Sequence, residues 1–364
     1  MVVDDSAVVR GLVTRMLESD PSIEIVASVG NGLQAVQSLD RHNVEVVVLD
    51  IEMPVMDGLT ALPKLLEKDP GLQIIMASTL TLQNADISLR ALEAGAADYI
   101  PKPTTSRELA GTADFKRDLL EKVRALGGVR RSNTRRAPHR FPSAPPPPQR
   151  VREPLARPAP GPIVLCKPGE DVPEIIAIGS STGGPQALFK VLSALRGGGG
   201  VKQPIFITQH MPATFTTILA QHITRLSGME AAEGQDGEVV RSGRVYVAPG
   251  DFHMTVEARG VDKILRIAKG PPENYCRPAV DPMFRSLAAA YGRRVLAVVL
   301  TGMGVDGSKG SAEIHKAGGT VIAQDEASSI VWGMPGATAL SGVCSAVLAL
   351  DDIAPYIRKI ATRR

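Results

Sequence analysis

Residues 174–188, EIIAIGSSTGGPQAL, constrain this chain more than any other stretch. Residues 175–178 form an apolar run of the length of a buried parallel strand. The run stops at Gly179. After Gly184 and Pro185 a helical pattern begins, with Ala187, Leu188, Val191, Leu192 and Leu195 on one face. Between them, Gly179-Ser180-Ser181-Thr182-Gly183 reads G-x-S-x-G, with Ser181 at the centre of a strand-to-helix turn. Such a turn lifts a serine hydroxyl off a sheet and aims backbone N–H groups at an anion. Glycine-rich turns also serve only to bind phosphate or only to turn the chain, so partners for Ser181 must be sought elsewhere.

The chain has 364 residues, room for two ordinary domains. No apolar run reaches membrane-spanning length, and the first residues lack the basic, apolar and cleavage regions of a secretory signal. Cys166, Cys276 and Cys344 are too few and too far apart for a disulfide framework or a zinc site, which points to the reducing cytoplasm. A formal charge of +3 gives no reason to expect nucleic acid as a partner.

In residues 1–126, apolar runs at 1–3, 23–29, 44–49, 72–77 and 98–100 alternate with helical patterns such as Val8, Val9, Leu12, Val13 and Met16. This alternation predicts a parallel sheet covered on both faces, with ligands beyond the carboxyl ends of its strands. Asp4 and Asp5 follow the first run and Asp50 the third. Three carboxylates at one sheet edge repel one another unless a cation joins them, and a hard ion such as Mg²⁺ suits an oxygen-only site. Ser78 and Thr79 end the fourth run and Lys102 follows the fifth, so hydroxyl and ammonium groups converge on the acids. Helix capping by aspartate explains Asp5 or Asp50 singly, but not the whole set.

Val3-Asp4-Asp5-Ser6, Asp50 followed by Met53-Pro54-Val55-Met56-Asp57-Gly58, and Lys102-Pro103 resemble the receiver domain of two-component response regulators. The resemblance implies a flavodoxin-like fold with Asp50 as phosphoryl acceptor. It also implies Mg²⁺ held by Asp4, Asp5, Asp50 and the backbone carbonyl of Glu52. Lys102 and Ser78 would meet the phosphoryl oxygens, Tyr99 would be the switch aromatic, and a chemotaxis-type histidine kinase would be the phosphodonor. One departure is the first strand: receivers usually carry several more residues before the acid pair, and here it is only residues 1–3.

Residues 127–172 hold Pro145-Pro146-Pro147-Pro148 among Arg130, Arg131, Arg135, Arg136, Arg140, Arg150, Arg152 and Arg157. This composition predicts an extended tether. A nucleic-acid arm is the sharper alternative, but Phe141 is the only aromatic and no reading helix follows.

Residues 173–364 alternate again, with apolar runs at 175–178, 204–208, 245–248, 264–267, 295–300 and 320–323, and hairpin-like signals between 238 and 267 that predict a mixed sheet. Gln209-His210-Met211-Pro212 follows the second run, and Thr301-Gly302-Met303-Gly304-Val305-Asp306-Gly307 the fifth. A histidine can take the proton of a serine, and a carboxylate can fix the imidazole tautomer. His210 and Asp306 stand at strand ends where such groups meet. Asp306 could instead cap the following helix. Asp251 and His253 are a rival pair, and Ser180 a rival nucleophile that should point to the other side of the turn.

Gly179-Ser180-Ser181-Thr182-Gly183-Gly184, Gln209-His210-Met211-Pro212, Ala248-Pro249-Gly250 and Gly302-Met303-Gly304-Val305-Asp306-Gly307 resemble the catalytic domain of chemotaxis protein-glutamate methylesterases. The implied fold is α/β: two doubly wound domains, the second a Rossmann-like mixed sheet, joined by the Pro/Arg-rich linker. The resemblance implies Ser181 as nucleophile, His210 as general base and acid, and Asp306 as orienting carboxylate. Backbone N–H groups of Thr182 and Met303 would be the oxyanion donors, with no cofactor for the esterase reaction. The implied substrates are glutamate γ-methyl esters and some glutamines on methyl-accepting chemoreceptors, met in the cytoplasm without membrane insertion. Family members usually have a small residue such as Ala at Ser180, often Asn at Val305, and in many cases His at Cys276.

Overall fold

The computed structural model describes residues 1–79, 81–102, 113–136, 162–196 and 201–363. Its first unit is a parallel sheet of β1 (Val2–Val3), β2 (Ser28–Val29), β3 (Val46–Asp50), β4 (Gln73–Thr79) and β5 (Asp98–Lys102), in the order β2-β1-β3-β4-β5. This is the flavodoxin-like order. The helices are α1 (Ala7–Glu18), α2 (Gly32–Ser38), α3 (Gly58–Lys68), α4 (Leu82–Glu93) and α5 (Ala113–Arg136). Val47 and Leu49 of β3 pack with α2, α3 and α4. Val46 and Val48, on the other face, pack with α1 and α5. Burial on both faces is why the strands read as continuous apolar runs rather than alternating ones. The two residues of β1 pair with both β2 and β3, and the Met1 amine adds a bond to Val46 O at 2.9 Å.

Helix α5 continues through Gly127 and Gly128 to Arg136, past the point where the tether was expected to start. Arg130 pairs with Asp69 and Arg131 with Glu45, both at 2.6 Å, so these two arginines fasten the helix to the first sheet's unit. Pro103, Phe141, the Pro145–Pro148 run and Arg140, Arg150, Arg152 and Arg157 lie outside the described residues, as do the side chains of Arg135 and Arg136.

The second unit contains β6 (Ile175–Ser180), β7 (Ile205–Gln209), β8 (Glu230–Glu233), β9 (Arg244–Val247), β10 (His253–Arg259), β11 (Asp262–Ala268), β12 (Val295–Val299), β13 (Thr320–Gln324) and β14 (Ala346–Leu348). Its helices are α6 (Gly184–Arg196), α7 (Phe215–Ser227), α8 (Val280–Tyr291), α9 (Ser308–Lys316), α10 (Met334–Leu340) and α11 (Leu350–Ala361). Seven strands pair in parallel in the order β14-β13-β12-β6-β7-β9-β8. The expected hairpin is β10–β11, an antiparallel pair beside the main sheet, and it carries the domain's antiparallel component. The chain winds outward in both directions from β6. The crevice beyond β6, β7 and β12 is therefore the topological switch point where such sheets bind ligands.

The two units touch. Tyr99 of β5 stacks on Phe215 of α7 with ring centroids 4.4 Å apart and planes 10° from parallel. His222 of α7 lies between Asp86 and Glu93 of α4, with Nε2–Oδ1 at 2.8 Å and Nδ1–Oε1 at 2.7 Å. Met303, Ile330 and Val331 of the second unit join a cluster that contains Phe115 and Leu119 of α5. Among the described residues no helix is long and apolar enough to cross a membrane.

Candidate active site

Strand pairing brings the G-x-S-x-G turn and the histidine together. Ser180 is in register with Gln209 across β6 and β7, and the His210 N–H donates to Ser180 O at 3.2 Å, so the residues after each strand emerge side by side. Gln209 clamps the turn. Its Oε1 accepts from Ser180 Oγ at 2.7 Å and its Nε2 donates to Ser181 O at 2.9 Å. Ser180 is thus fully buried and points away from the site, while Ser181 is half-buried. A side chain at Gly184 would meet Gln209 Oε1 at 2.0 Å, so the clamp needs glycine there. Gly302 is likewise required: a Cβ would lie 2.9 Å from both Ser181 Cβ and Ser181 N.

His210 Nε2 lies 2.7 Å from Asp306 Oδ2, and Asp306 is 1% exposed. The rest of that carboxylate is saturated. Val280 N donates to Oδ2 at 2.6 Å, while Asp281 N, Gly307 N and Asn274 Nδ2 reach Oδ1 at 3.0, 3.0 and 2.8 Å. Asp306 therefore does meet a helix N-terminus, but that of α8 rather than the following α9, whose N-cap is Gly307 with no side-chain cap bond. Burial works against its ionisation. The His210 contact and the Val280 and Asp281 N–H groups override this and hold it at about 2. Burial would likewise lower His210, but the Cys276 sulfur and Asp306 outweigh it and push the imidazole up to about 10.

The structure does not bond Ser181 to His210. Ser181 Oγ has no hydrogen-bond partner among the described residues, and the free nitrogen of His210, Nδ1, faces Cys276 Sγ at 3.4 Å. Catalytic hydrogen bonds often tighten only in the substrate complex, so this separation does not exclude the pair. The N–H groups of Thr182 and Met303 donate to no described residue. Thr301 Oγ1 fixes the turn by donating to Thr182 O at 2.9 Å. The rival pair is otherwise engaged: Asp251 is ion-paired with Arg277 and Lys269, and His253 Nε2 contacts Pro271 O at 2.9 Å.

Sequence reasoning missed Asn274, Asp281 and the Cys276 contact. Asn274 Nδ2 bridges Asp306 and Asp281, and Asp281 Oδ1 accepts from Gly310 N at 2.6 Å. A signal existed only for Asn274, because asparagine tolerates the left-handed backbone it adopts, with φ at 52°.

At the edge of the first sheet, Asp4, Asp5 and Asp50 each offer an oxygen within 4.8 Å of the others. Lys102 Nζ lies 2.6 Å from both Asp4 Oδ2 and Asp50 Oδ1. Burial raises Asp50 to about 6, with Lys102 opposing and Asp4 adding to the rise. A bound cation would offset that repulsion, and an oxygen-only set with exposed Asp5 on its rim fits Mg²⁺. Ser78 Oγ is engaged with Ser88 Oγ at 3.0 Å, and Tyr99 lies in the contact between the units.

Residues 176–357 match the family described as CheB methylesterase, and residues 1–114 match the response regulator receiver domain. A protein-glutamate methylesterase/protein-glutamine glutaminase 1 of Paramagnetospirillum magneticum is 64% identical over 370 residues, covering 100% of this chain and 96% of its own length. The protein of that name from Rhodospirillum rubrum is 63% identical, covering 100% of this chain and 95% of its own. The crystal structure of the Thermotoga maritima CheB methylesterase catalytic domain superposes with a TM-score of 0.50 at 38% identity. It covers 52% of this chain and 98% of that one. Ser181, His210 and Asp306 all fall in the matched methylesterase region, behind a matched receiver. The chain belongs to the protein-glutamate methylesterase/protein-glutamine glutaminase family, in which a receiver domain precedes a CheB methylesterase domain.

Proposed function

We infer that this chain is a phosphorylation-regulated serine esterase that hydrolyses glutamate γ-methyl esters on chemoreceptors, releases methanol and deamidates some receptor glutamines. The observation that carries this reading is the His210–Asp306 contact of 2.7 Å beside the G-x-S-x-G turn, at the switch point of the second sheet. Ser181 Oγ attacks the ester carbonyl while His210 takes its proton. The oxyanion is met by the N–H groups of Thr182 and Met303, which have no other described partner. His210 then protonates the leaving methoxide, and methanol departs. Water adds to the glutamyl-enzyme, giving its proton to His210, and Ser181 regains the proton as the γ-carboxylate leaves. An amide substrate loses ammonia by the same path, more slowly, because its leaving group is poorer. None of these steps uses a cofactor.

Residues 1–126 are proposed as the receiver domain, 127–172 as the linker and 173–364 as the catalytic domain, with α5 carrying ordered helix into the linker span. Asp50 is the proposed acceptor, from a histidine kinase of the chemotaxis type. Asp4, Asp5, Asp50 and the Glu52 carbonyl would hold Mg²⁺, which when bound neutralises phosphoryl oxygens. Lys102 and Ser78 would turn from their present partners to the phosphoryl group. Tyr99 is the proposed switch aromatic, and its stack on Phe215 supports a direct route from that event to the docked face. The proposed setting is the cytoplasm, without membrane insertion or nucleic acid.

Methanol release from methylated receptor membranes, with and without a small-molecule phosphodonor and Mg²⁺, tests the regulatory half. Stimulation of the native chain and none for Asp50→Ala is expected. Full stimulation of Asp50→Ala would remove Asp50 from the scheme.

A further inference from the structure

The esterase reading uses both ring nitrogens of His210. Nε2 faces the ionised Asp306 and carries the proton of the neutral ring, which leaves the lone pair on Nδ1. Ser181 must hand its proton to that lone pair. The atom on Nδ1 in this structure is Cys276 Sγ, at 3.4 Å. Cys276 is fixed there by a tight turn: its N–H donates to Glu273 O at 2.9 Å, and its C=O accepts from Glu273 N at 3.0 Å.

We propose that Cys276 is a positioning residue for ester hydrolysis, whose sulfur holds Nδ1 of His210 and governs when that nitrogen is free to take the Ser181 proton. The proposal rests on the reading of Ser181 and His210 given above. One proton can sit in two places in this pair. On sulfur, it makes a weak S–H donor that Ser181 can displace from Nδ1. On nitrogen, it makes an imidazolium facing a thiolate, with no lone pair to offer. The charges around the ring favour a protonated His210. Burial opposes the imidazolium, but the Cys276 sulfur and Asp306 more than offset it. Asp281 and Glu273 add negative charge around Asp306, and Arg285 pairs with Glu273 at 2.6 Å. Across the contact between the units, Arg117 of α5 lies over the ring of Tyr275, the residue before Cys276, 5.0 Å from its centroid.

The test is the pH profile of kcat/KM for methanol release by the full chain, with phosphodonor and Mg²⁺ present, in the native protein, Cys276→Ala and Cys276→Ser. The acid limb is expected to move to lower pH by about one unit in the alanine variant, which is about tenfold more free base on that limb. The serine variant should shift in the same direction. A limb that stays in place in both variants overturns the proposal, whatever happens to the maximal rate, since a purely structural role would lower rates without moving the limb. The second measurement needs no turnover. The His210 imidazole is titrated by ¹⁵N NMR in full-length Ser181→Ala, before and after alkylation of Cys276 by a haloacetamide on the folded chain. A drop in the His210 inflection on alkylation supports the sulfur contact, and an unchanged inflection overturns it. If no form releases methanol, the esterase reading fails on the first measurement, while the second still decides the Cys276 contact.

Discussion

Three donors meet Oδ1 of Asp306 and two meet Oδ2, and only one of these comes from His210. The carboxylate is fixed by the N-terminus of α8 before it orients the imidazole. Asp306→Asn should therefore fold but lose roughly 10⁴-fold in methanol release, the size of loss expected when an orienting carboxylate becomes an amide. The pH dependence of stability has a definite sign. The folded value of Asp306, about 2, lies below its ordinary 3.8. Its ionised form therefore stabilises the fold above about pH 4, and this contribution is lost as pH falls towards 2. In denaturant titrations the stability gap between native protein and Asp306→Asn should shrink across that interval. A gap that is constant or grows would contradict the assignment. At this scale the sequence placed Ser181, His210 and Asp306 just beyond strand ends, because each follows a recognisable apolar run, and the structure has them there. It did not show Asn274, Asp281 or the place of Cys276. These residues enter through a loop of irregular backbone, and local periodicity carries no information about what such a loop approaches.

The elements themselves were legible because both sheets are parallel and buried on two faces, which makes strands such as β3 and β6 unbroken apolar runs. The end of α5 was not. The tether was expected from residue 127 onward, but Arg130 and Arg131 find Asp69 and Glu45 across the fold, and these pairs lie far apart in sequence. The α4–α7 contact is equally non-local. Glu93 Oε1 accepts from His222 Nδ1 at 2.7 Å and from Arg225 Nη2 at 2.6 Å. Glu93→Ala removes both contacts without touching the esterase centre. Partly exposed ion pairs are worth about 0.5–1 kcal/mol, so the undocked fraction should rise about two- to fivefold. Basal methanol release without phosphodonor should rise by the same factor. Unchanged basal release would show that this contact does not restrain the enzyme.

At the scale of the whole molecule, the receiver contributes apolar packing beside Met303 and the Tyr99–Phe215 stack, both on the face of the catalytic sheet's carboxyl ends. Neither domain's sequence pattern reveals this face, since each pattern is satisfied within its own sheet. The arrangement predicts that residues 173–364 alone release methanol faster than the intact unphosphorylated chain. Equal rates would mean that docking has no inhibitory effect. The central claim is narrower and comes first: this chain hydrolyses a glutamate methyl ester through Ser181. It is tested most directly by methanol release from methylated receptor membranes, comparing the intact protein with Ser181→Ala under phosphodonor and Mg²⁺. Release by the intact protein and its loss in the variant is the predicted result. Release by both would contradict the account by placing the nucleophile elsewhere.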